Sequence, residues 1–315
     1  MSKNKFSICI PAYKSKYLQE CIDSILAQTN PDFELLILND CSPEPIEEIV
    51  LKNQDPRIRY FKNEKNVGAY DLVDNWNKCL ELSAGEYIVI MGDDDRLAPD
   101  YLTEFGRLID NYPSLHVYHC RSKIIDDDGK DVMLTPALPA FEHVYDSIWH
   151  RLRQLRSNYI SDYVYKTSAL KAQGGFYKLP LAWGSDDITA FIASAKFGIA
   201  HSNKPVFEYR SNRLSITSTG NDLHKMMADI SYSEWLGDFM RNNPPHSSEK
   251  VIYQHLLNEK DKYMHEKKLY TMMLSLRSNP LQKAKNWMKT RAKFGLSIKD
   301  IGVALAKSLN SNLSK

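Results

Sequence analysis

The densest chemistry in this sequence sits in Met91-Gly92-Asp93-Asp94-Asp95. Three adjacent carboxylates at the end of an apolar run repel one another unless a cation or hydrogen-bond donors compensate. Hard divalent cations take oxygen ligands, and Mg2+ uses one or two carboxylates together with substrate phosphates. An exposed acidic turn is the plainer reading of such a triplet. The apolar run before it and the helix-opening Pro99 after it favour the cation. Asp40, in Asn39-Asp40-Cys41-Ser42, ends a second apolar run. A carboxylate there can accept from a base N–H or a ribose hydroxyl, or it can cap a helix or turn. Tyr13, in Pro11-Ala12-Tyr13, offers a ring for stacking on a base, and Asn66-Val67-Gly68 with Asn75 reads as a turn and helix entry. Ser185-Asp186-Asp187 precedes a helical pattern and makes a good N-terminal capping combination.

The elements that must hold these residues alternate strictly over the first 125 residues. Apolar runs at Phe6–Ile10, Phe33–Leu38, Ile58–Phe61, Tyr87–Met91 and Leu115–Ile125 read as buried strands. Between them, helical spacing appears at Tyr17–Leu26, Pro45–Lys52, Ala69–Leu82 and Pro99–Tyr112, with Gly85 expected as a helix C-cap. Strand and helix in alternation mean βαβ units in a mostly parallel sheet covered on both faces. Ligands of such sheets bind beyond the carboxyl ends of the strands, where Tyr13, Asp40 and the Asp triplet fall.

Beyond residue 130 the rhythm loosens. Helices are expected at Phe141–Arg156 and Ile188–Phe197, a strand at Tyr159–Tyr165, a turn at Gly174-Gly175 and strand-like pieces over Ile199–Arg210. From Asp222 onward the chain reads as helices broken at Pro244-Pro245 and near Pro280.

The 315 residues are 43% hydrophobic and 25% charged, as in ordinary globular proteins, and suffice for a sizeable core. The net charge of +2 hides an asymmetry: residues 1–240 carry 26 Lys+Arg against 34 Asp+Glu, and residues 241–315 carry 15 against 5. Residues 283–315 hold eight basic residues and one acid, interleaved with Trp287, Met288, Phe294 and Ile298. A basic amphipathic segment of that kind reads as a membrane-surface helix, with Trp287 and Phe294 inserting, or as a helix packed on protein with solvated lysines. No run of about 18 apolar residues spans a bilayer, and MSKNKFSICIPAY leads into Lys14 without a signal-peptide cleavage site. Cys9, Cys21, Cys41, Cys79 and Cys120 are odd in number and lie far apart, so buried free thiols in a reducing compartment are expected.

Taken in order, Pro11-Ala12-Tyr13-Lys14, Asn39-Asp40-Cys41-Ser42, Asn66-Val67-Gly68 with Asn75, Gly85-Glu86-Tyr87-Ile88 and Asp93-Asp94-Asp95 running on to Pro99 form a pattern. It resembles the nucleotide-sugar domain of inverting family 2 glycosyltransferases, which have the GT-A fold. The resemblance covers about residues 5–215. It implies an α/β chain with a GT-A type Rossmann-like sheet and a helical C-terminal extension. Residues 1–215 would be the catalytic unit, with a donor half at 1–125 and an acceptor half at 126–215, and 216–315 the extension. It implies a nucleotide-sugar site at Pro11, Ala12, Tyr13, Asp40, Asn66, Gly68, Asp93 and Arg210, with Arg213 as a second basic residue, and a divalent metal (Mn2+ or Mg2+) at Asp94 and Asp95. The base that activates the acceptor falls at Asp186, with Asp187 as its alternate. Lys14 departs from the family's usual Asn, Gly92 from the usual first residue of the metal motif, and Ser185 stands where a Glu is usual.

The activity so implied is metal-dependent inverting transfer of a sugar, from a UDP-sugar, to a glycan or lipid-linked glycan in cell-surface polysaccharide synthesis. The expected location is the cytoplasm, with attachment to an anionic membrane face through the basic tail. A sugar-phosphate nucleotidyltransferase is the rival enzyme class, but Ile10–Lys16 lacks glycine where those enzymes carry a Gly-rich signature. A non-catalytic nucleotide-sugar-binding protein is the other rival, favoured by Gly92 and Ser185 and opposed by Asp94 and Asp186. Nucleic-acid binding is not expected, because no recognised motif accompanies the basic tail.

Overall fold

The computed structural model describes residues 5–212 and 220–310, so Arg213 lies outside the described residues. Ten strands join one sheet: β1 (Phe6–Ala12), β2 (Phe33–Asn39), β3 (Ile58–Lys62), β4 (Tyr87–Ile90), β5 (Arg96–Leu97), β6 (Val117–Ile125), β7 (Asp131–Leu134), β8 (Phe141–Glu142), β9 (Tyr163–Lys166) and β10 (Ile199–Arg210). The order is β3-β2-β1-β4-β9-β6-β10-β5, with β7 on β6 and β8 on β10. From β3 to β4 the pairing is parallel, as is β6 with β10. β9 runs antiparallel between β4 and β6 and joins the two parallel halves. The fold is α/β with a mostly parallel sheet, as the alternation predicts, and of the GT-A type that the resemblance implies.

The apolar runs are continuous because both faces are covered. Ile8, Ile10, Leu35 and Ile37 face one core with Ile22, Ile25 and Phe105. Their neighbours Cys9, Leu36 and Leu38 face the opposite core with Val73, Trp76 and Cys79. Helix α1 (Leu18–Leu26) turns Leu18, Cys21, Ile22 and Ile25 inward, at the i, i+3, i+4, i+7 spacing of one helical stripe. The short α2 (Ile46–Leu51) and α4 (Tyr101–Asn111) cover the same face, and α3 (Leu72–Leu82) the other. Gly85 is not a C-cap. A Cβ there would stand 2.6 Å from the Ser7 backbone N, so glycine is required where the chain presses against β1. Cys9, Cys21, Cys79 and Cys120 are buried free thiols, and Cys41 is half-buried and also free.

Five further helices, α5 (Val144–Leu152), α6 (Thr167–Ala172), α7 (Ser185–Ser194), α8 (Asp222–Asn242) and α9 (Lys250–Ser278), follow β8. Tyr145 and Ile148 of α5, Ile188 and Phe191 of α7, Tyr232 and Leu236 of α8 and Leu256 of α9 share a third core. Helices α10 (Pro280–Thr290) and α11 (Ile298–Asn310) close a fourth, in which Trp287, Phe294, Leu296 and Ile301 pack on Met226, Met272 and Leu276. Trp287 is 1% exposed and donates its indole N–H to Ser275 Oγ at 3.1 Å. This corrects the expectation that Trp287 and Phe294 insert into a membrane: their rings serve as core. None of the described helices is long and apolar enough to cross a membrane.

Candidate active site

Strand β1 has β2 on one side and β4 on the other, so chain direction leaves β1 toward both flanks. That switch point opens a crevice at the strands' carboxyl ends. The crevice leads into a cavity of about 540 Å3 whose wall includes Lys14, Asp94, Trp183, Asp186, Lys267 and Tyr270.

At the end of β4 the three carboxylates take three different environments. Asp93 Oδ2 accepts from the backbone N–H of Tyr13 at 2.9 Å and of Lys14 at 2.7 Å, which ties the triplet to the end of β1. Asp95 Oδ1 accepts from the Arg210 backbone N–H at 2.8 Å. A Cβ on residue 92 would stand 2.5 Å from Asp95 Oδ2, which explains why glycine occupies that position. Asp94 is the most open of the three, half-buried where Asp93 and Asp95 are buried. Its Oδ2 accepts from Asn212 Nδ2 at 2.6 Å and from Lys14 Nζ at 3.2 Å. Burial pushes the Asp93 carboxyl up to about 6 against the pull of Lys14 and the two backbone N–H groups. Burial and then the Asp94 charge push Asp95 up as well. For Lys14, burial works to lower the pKa, but the charges of Asp94 and Asp93 outweigh it and hold the ammonium above its ordinary value.

These residues fit a divalent metal in one specific way. Among the described residues no group of three or more His, Cys, Asp or Glu is arranged to hold a cation by protein ligands alone. Asp94 instead presents one hard oxygen donor at the cavity edge, the kind of partial site that Mg2+ or Mn2+ completes with substrate phosphates. Asp95 is turned inward onto Arg210 and supports the loop.

Asp40 is the hub of the second strand end. Its Oδ1 accepts from Asn63 Nδ2 at 2.8 Å and Val67 N at 2.9 Å, and its Oδ2 from Asn66 Nδ2 at 3.2 Å and Gly68 N at 3.3 Å. Asn75 Oδ1, on α3, accepts from the same Asn63 amide at 2.8 Å. The Asn66-Val67-Gly68 and Asn75 pieces seen in the sequence therefore close around Asp40, and Gly68 takes φ +82°, which a side chain would strain. Pro11 and Ala12 end β1, and the Tyr13 ring beyond them is 42% exposed, open for stacking.

Arg210 departs from its expected place on the donor. It is 1% exposed, donating to Asp94 O at 2.8 Å, Glu20 Oε2 at 2.7 Å and the carbonyls of Asp126 and Asp127, with its guanidinium over the Tyr17 ring at 4.2 Å. Arg210 lines the cavity, but a guanidinium so committed braces the Asp loop.

On the far wall, Asp186 and Asp187 are not caps. Gly184, in the left-handed region at φ +90°, is the N-cap of α7, and both acids lie in the first turn. Asp187 is buried and clamped by Arg151, whose Nε reaches both carboxylate oxygens. Asp186 is half-buried and lines the cavity, as Asp187 also does. Burial pushes its carboxyl up to about 7, the Asp187 charge adds to the rise, and Arg151 opposes it. Two adjacent carboxylates are thus driven apart in character, one clamped by a guanidinium and one poised to trade a proton near neutrality.

Sequence reasoning missed four participants. Lys14 stood out only as a departure, and its link to Asp94 spans 80 residues. Arg151 lies 36 residues from the carboxylate it clamps. Lys267 and Tyr270 of α9 wall the cavity from the C-terminal region. There Asp229 of α8 gathers Trp183 Nε1 at 3.2 Å, Lys267 Nζ at 3.4 Å and the Thr271 hydroxyl. A Cβ on Gly184 would stand 2.9 Å from the buried Tyr232 ring, so α8 seats directly on the turn that launches the acid pair.

Comparison with known proteins adds the following. The sequence model of the family Glycosyl transferase family 2 matches residues 7–172. The putative colanic acid biosynthesis glycosyl transferase WcaA of Escherichia coli (strain K12) is 35% identical over 102 residues, 31% of this chain and 36% of that protein. The putative teichuronic acid biosynthesis glycosyltransferase TuaG of Bacillus subtilis (strain 168) is 31% identical over 99 residues, 30% of this chain and 38% of that one. The chain spans less than half the length of the curated relatives it matches. Among solved structures, S. aureus TarS 1-349 in complex with UDP-GlcNAc is similar at TM-score 0.55 and 18% identity, covering 99% of this chain and 92% of that one. Mannosyltransferase PcManGT from Pyrobaculum calidifontis, in complex with GDP-Man and Mn2+, is similar at TM-score 0.56 and 15% identity, covering 99% and 88%. At those identities the likeness is one of fold.

Proposed function

The chain belongs to glycosyl transferase family 2, and on that premise we propose that it is a metal-dependent inverting glycosyltransferase. It takes a sugar from a UDP-sugar and delivers it to a glycan or lipid-linked glycan in cell-surface polysaccharide synthesis. The observation that carries this reading is the pair of carboxylates, Asp94 and Asp186, on the wall of one cavity. Asp94 faces the end of the sheet where a diphosphate would lie, and Asp186 has the raised pKa of a general base.

In this mechanism the Tyr13 ring and the Asp40 loop receive the base, and Asp40 Oδ2 accepts from uracil N3–H as one of its two long contacts, with Asn66 at 3.2 Å or Gly68 at 3.3 Å, gives way. Asp93 holds the backbone of Tyr13 and Lys14 so that this receptor is preformed. Asp94, supported by Asp95, would hold a divalent metal, whose chemistry when bound is to neutralise charge growing on the leaving diphosphate. Asp186 takes the proton from the acceptor hydroxyl as its oxygen attacks the anomeric carbon from the side opposite the diphosphate, which inverts the configuration. The charge of Asp187, which Arg151 clamps, raises the basicity of Asp186. Trp183 and Tyr270 supply flat apolar faces for an acceptor sugar.

Attachment to an anionic membrane face, from the cytoplasmic side, rests on the outer face of α10, where Leu281, Lys285, Met288 and Lys289 are exposed. Basic residues beside an anionic leaflet contribute about 1 kcal/mol each.

The test is a panel of nucleotide sugars with Mn2+, read as release of free nucleotide. UDP-sugars should be turned over and ADP- or GDP-sugars should not. Preference for GDP- or ADP-sugars would overturn the uridine assignment, and no release from any donor, with or without glycan acceptors, would overturn the enzyme.

A further inference from the structure

Three carboxylates converge at the end of β4, and among the described residues Lys14 is the side-chain cation paired with one of them. Its root is fixed, because its own backbone N–H is held by Asp93 at 2.7 Å. Its ammonium reaches Asp94 Oδ2, the same oxygen that Asn212 engages, and its side chain remains 31% exposed along the cavity. The position departs from the family's usual Asn, a neutral side chain that carries no counter-charge. Arg210 does not replace it, since that guanidinium is spent on Glu20 and on backbone carbonyls.

We propose that Lys14 is a resident cation that occupies the metal-facing carboxylate of Asp94 until a nucleoside diphosphate arrives, so that metal and nucleotide bind with positive coupling. This rests on the reading of Asp94 as the metal ligand. A divalent ion approaching the nucleotide-free site meets an ammonium already on its oxygen donor and must displace it against like-charge repulsion. An incoming diphosphate reverses that balance. It offers the ammonium a second anionic partner on the cavity side, within the sweep of a flexible four-carbon stem. Asp94 is then released to the metal while Lys14 stays neutralised. By linkage, whatever the diphosphate adds to metal affinity the metal adds to diphosphate affinity. The free protein therefore keeps a low occupancy of metal, and the metal site is completed by the substrate that needs it.

The experiment is calorimetric titration of the full chain with Mn2+ alone, and separately with UDP in EDTA, for wild type, Lys14→Met, Lys14→Asn, Lys14→Arg and the double variant Lys14→Met/Asp94→Asn. Thermal melts confirm that each is folded, and the Asn variant serves if Met is not tolerated. Removing the ammonium should tighten Mn2+ alone by about tenfold and weaken metal-free UDP by a similar factor. Lys14→Arg should leave both within about threefold of wild type. A residue that merely props the loop would not move the two affinities in opposite directions. Mn2+ affinity that is unchanged or weaker in both neutral variants overturns the proposal. If the double variant binds Mn2+ as tightly as Lys14→Met, Asp94 is not the metal ligand and the reading beneath the proposal falls with it. If the double variant loses Mn2+ while the neutral single variants match wild type, only the role of Lys14 falls.

Discussion

Arg151 Nε stands 2.8 and 2.9 Å from the two carboxylate oxygens of Asp187, a clamp made beside Asp186 on the first turn of α7. Asp186→Asn should lower transfer by at least about 10²-fold, the usual worth of a general base, while UDP affinity stays unchanged. Asp187→Asn should instead destabilise the fold by about 2–3 kcal/mol, toward the low side for a broken buried pair because Arg151 is 26% exposed. Kinetics and denaturant unfolding on both variants check the division. Full turnover in Asp186→Asn would move the base elsewhere.

The Asp186 carboxyl at about 7 gives a pH dependence of definite sign. A base must be ionised, so kcat/KM should fall about tenfold per pH unit below that value and level off above it. Stability runs the other way. The folded pKa lies above the unfolded value near 4, so the folded state holds its proton more tightly, and stability declines as pH rises from about 4 to about 7. Asp186→Asn should accordingly melt higher than wild type at pH 8 and level with it at pH 4. A wild-type acid limb near pH 4 would contradict this.

Asp94→Asn should abolish transfer at saturating Mn2+ and leave the circular dichroism spectrum unchanged. The substitution preserves shape and the Asn212 contact region but removes the anionic oxygen that a hard cation requires. Wild-type turnover would remove Asp94 from the metal site.

Asp40→Ala should weaken UDP binding by about tenfold or more, the worth of a lost charge-assisted hydrogen bond, and speed amide exchange at Val67 and Gly68. Both amides donate to that carboxylate. Calorimetry and hydrogen exchange read the two effects independently.

Trp287→Ala should cost about 3–5 kcal/mol, as for other large aromatics removed from a core. A chain ending near Asn279 should lose solubility, because it would bare Met272 and Leu276. Lys285→Glu/Lys289→Glu, on the exposed face of α10, should leave stability within about 0.5 kcal/mol and reduce salt-sensitive sedimentation with anionic vesicles. Equal sedimentation of this variant and wild type would remove the membrane from the account.

Much of the first 125 residues was legible because most of their strands are buried on both faces and their polar residues collect where each strand stops. Asp40 and the Asp triplet could be found from that punctuation alone. The chain beyond residue 125 was less legible for physical reasons. β8 is two residues long, and β7 is exposed throughout, so neither length nor alternation marks them. Asp186 and Asp187 resemble caps because acids suit the first helical turn in any case, while the actual cap, Gly184, works through its backbone. Pairings such as Lys14 with Asp94 and Arg151 with Asp187 depend on the folded path of the chain. Trp287 reads as a membrane anchor because amphipathic spacing is the same whether the apolar side meets lipid or protein.

The contact between Gly184 and the Tyr232 ring bears on how acceptor preference can be altered. Helices α8 and α9 contribute a cavity wall, α8 through Tyr232 and α9 through Lys267 and Tyr270, and so invite transplantation between relatives as a cassette for new acceptors. The seam of such a graft would run through residue 184, where any side chain collides with Tyr232 and the backbone already sits where only glycine is at ease. A donor cassette bringing a different residue at position 232, or a recipient lacking glycine at 184, would tilt α7 and carry Asp186 off its line to the anomeric carbon. Exchanges that keep this pair together should preserve catalysis, while those that split it should yield folded hybrids that bind nucleotide and transfer nothing.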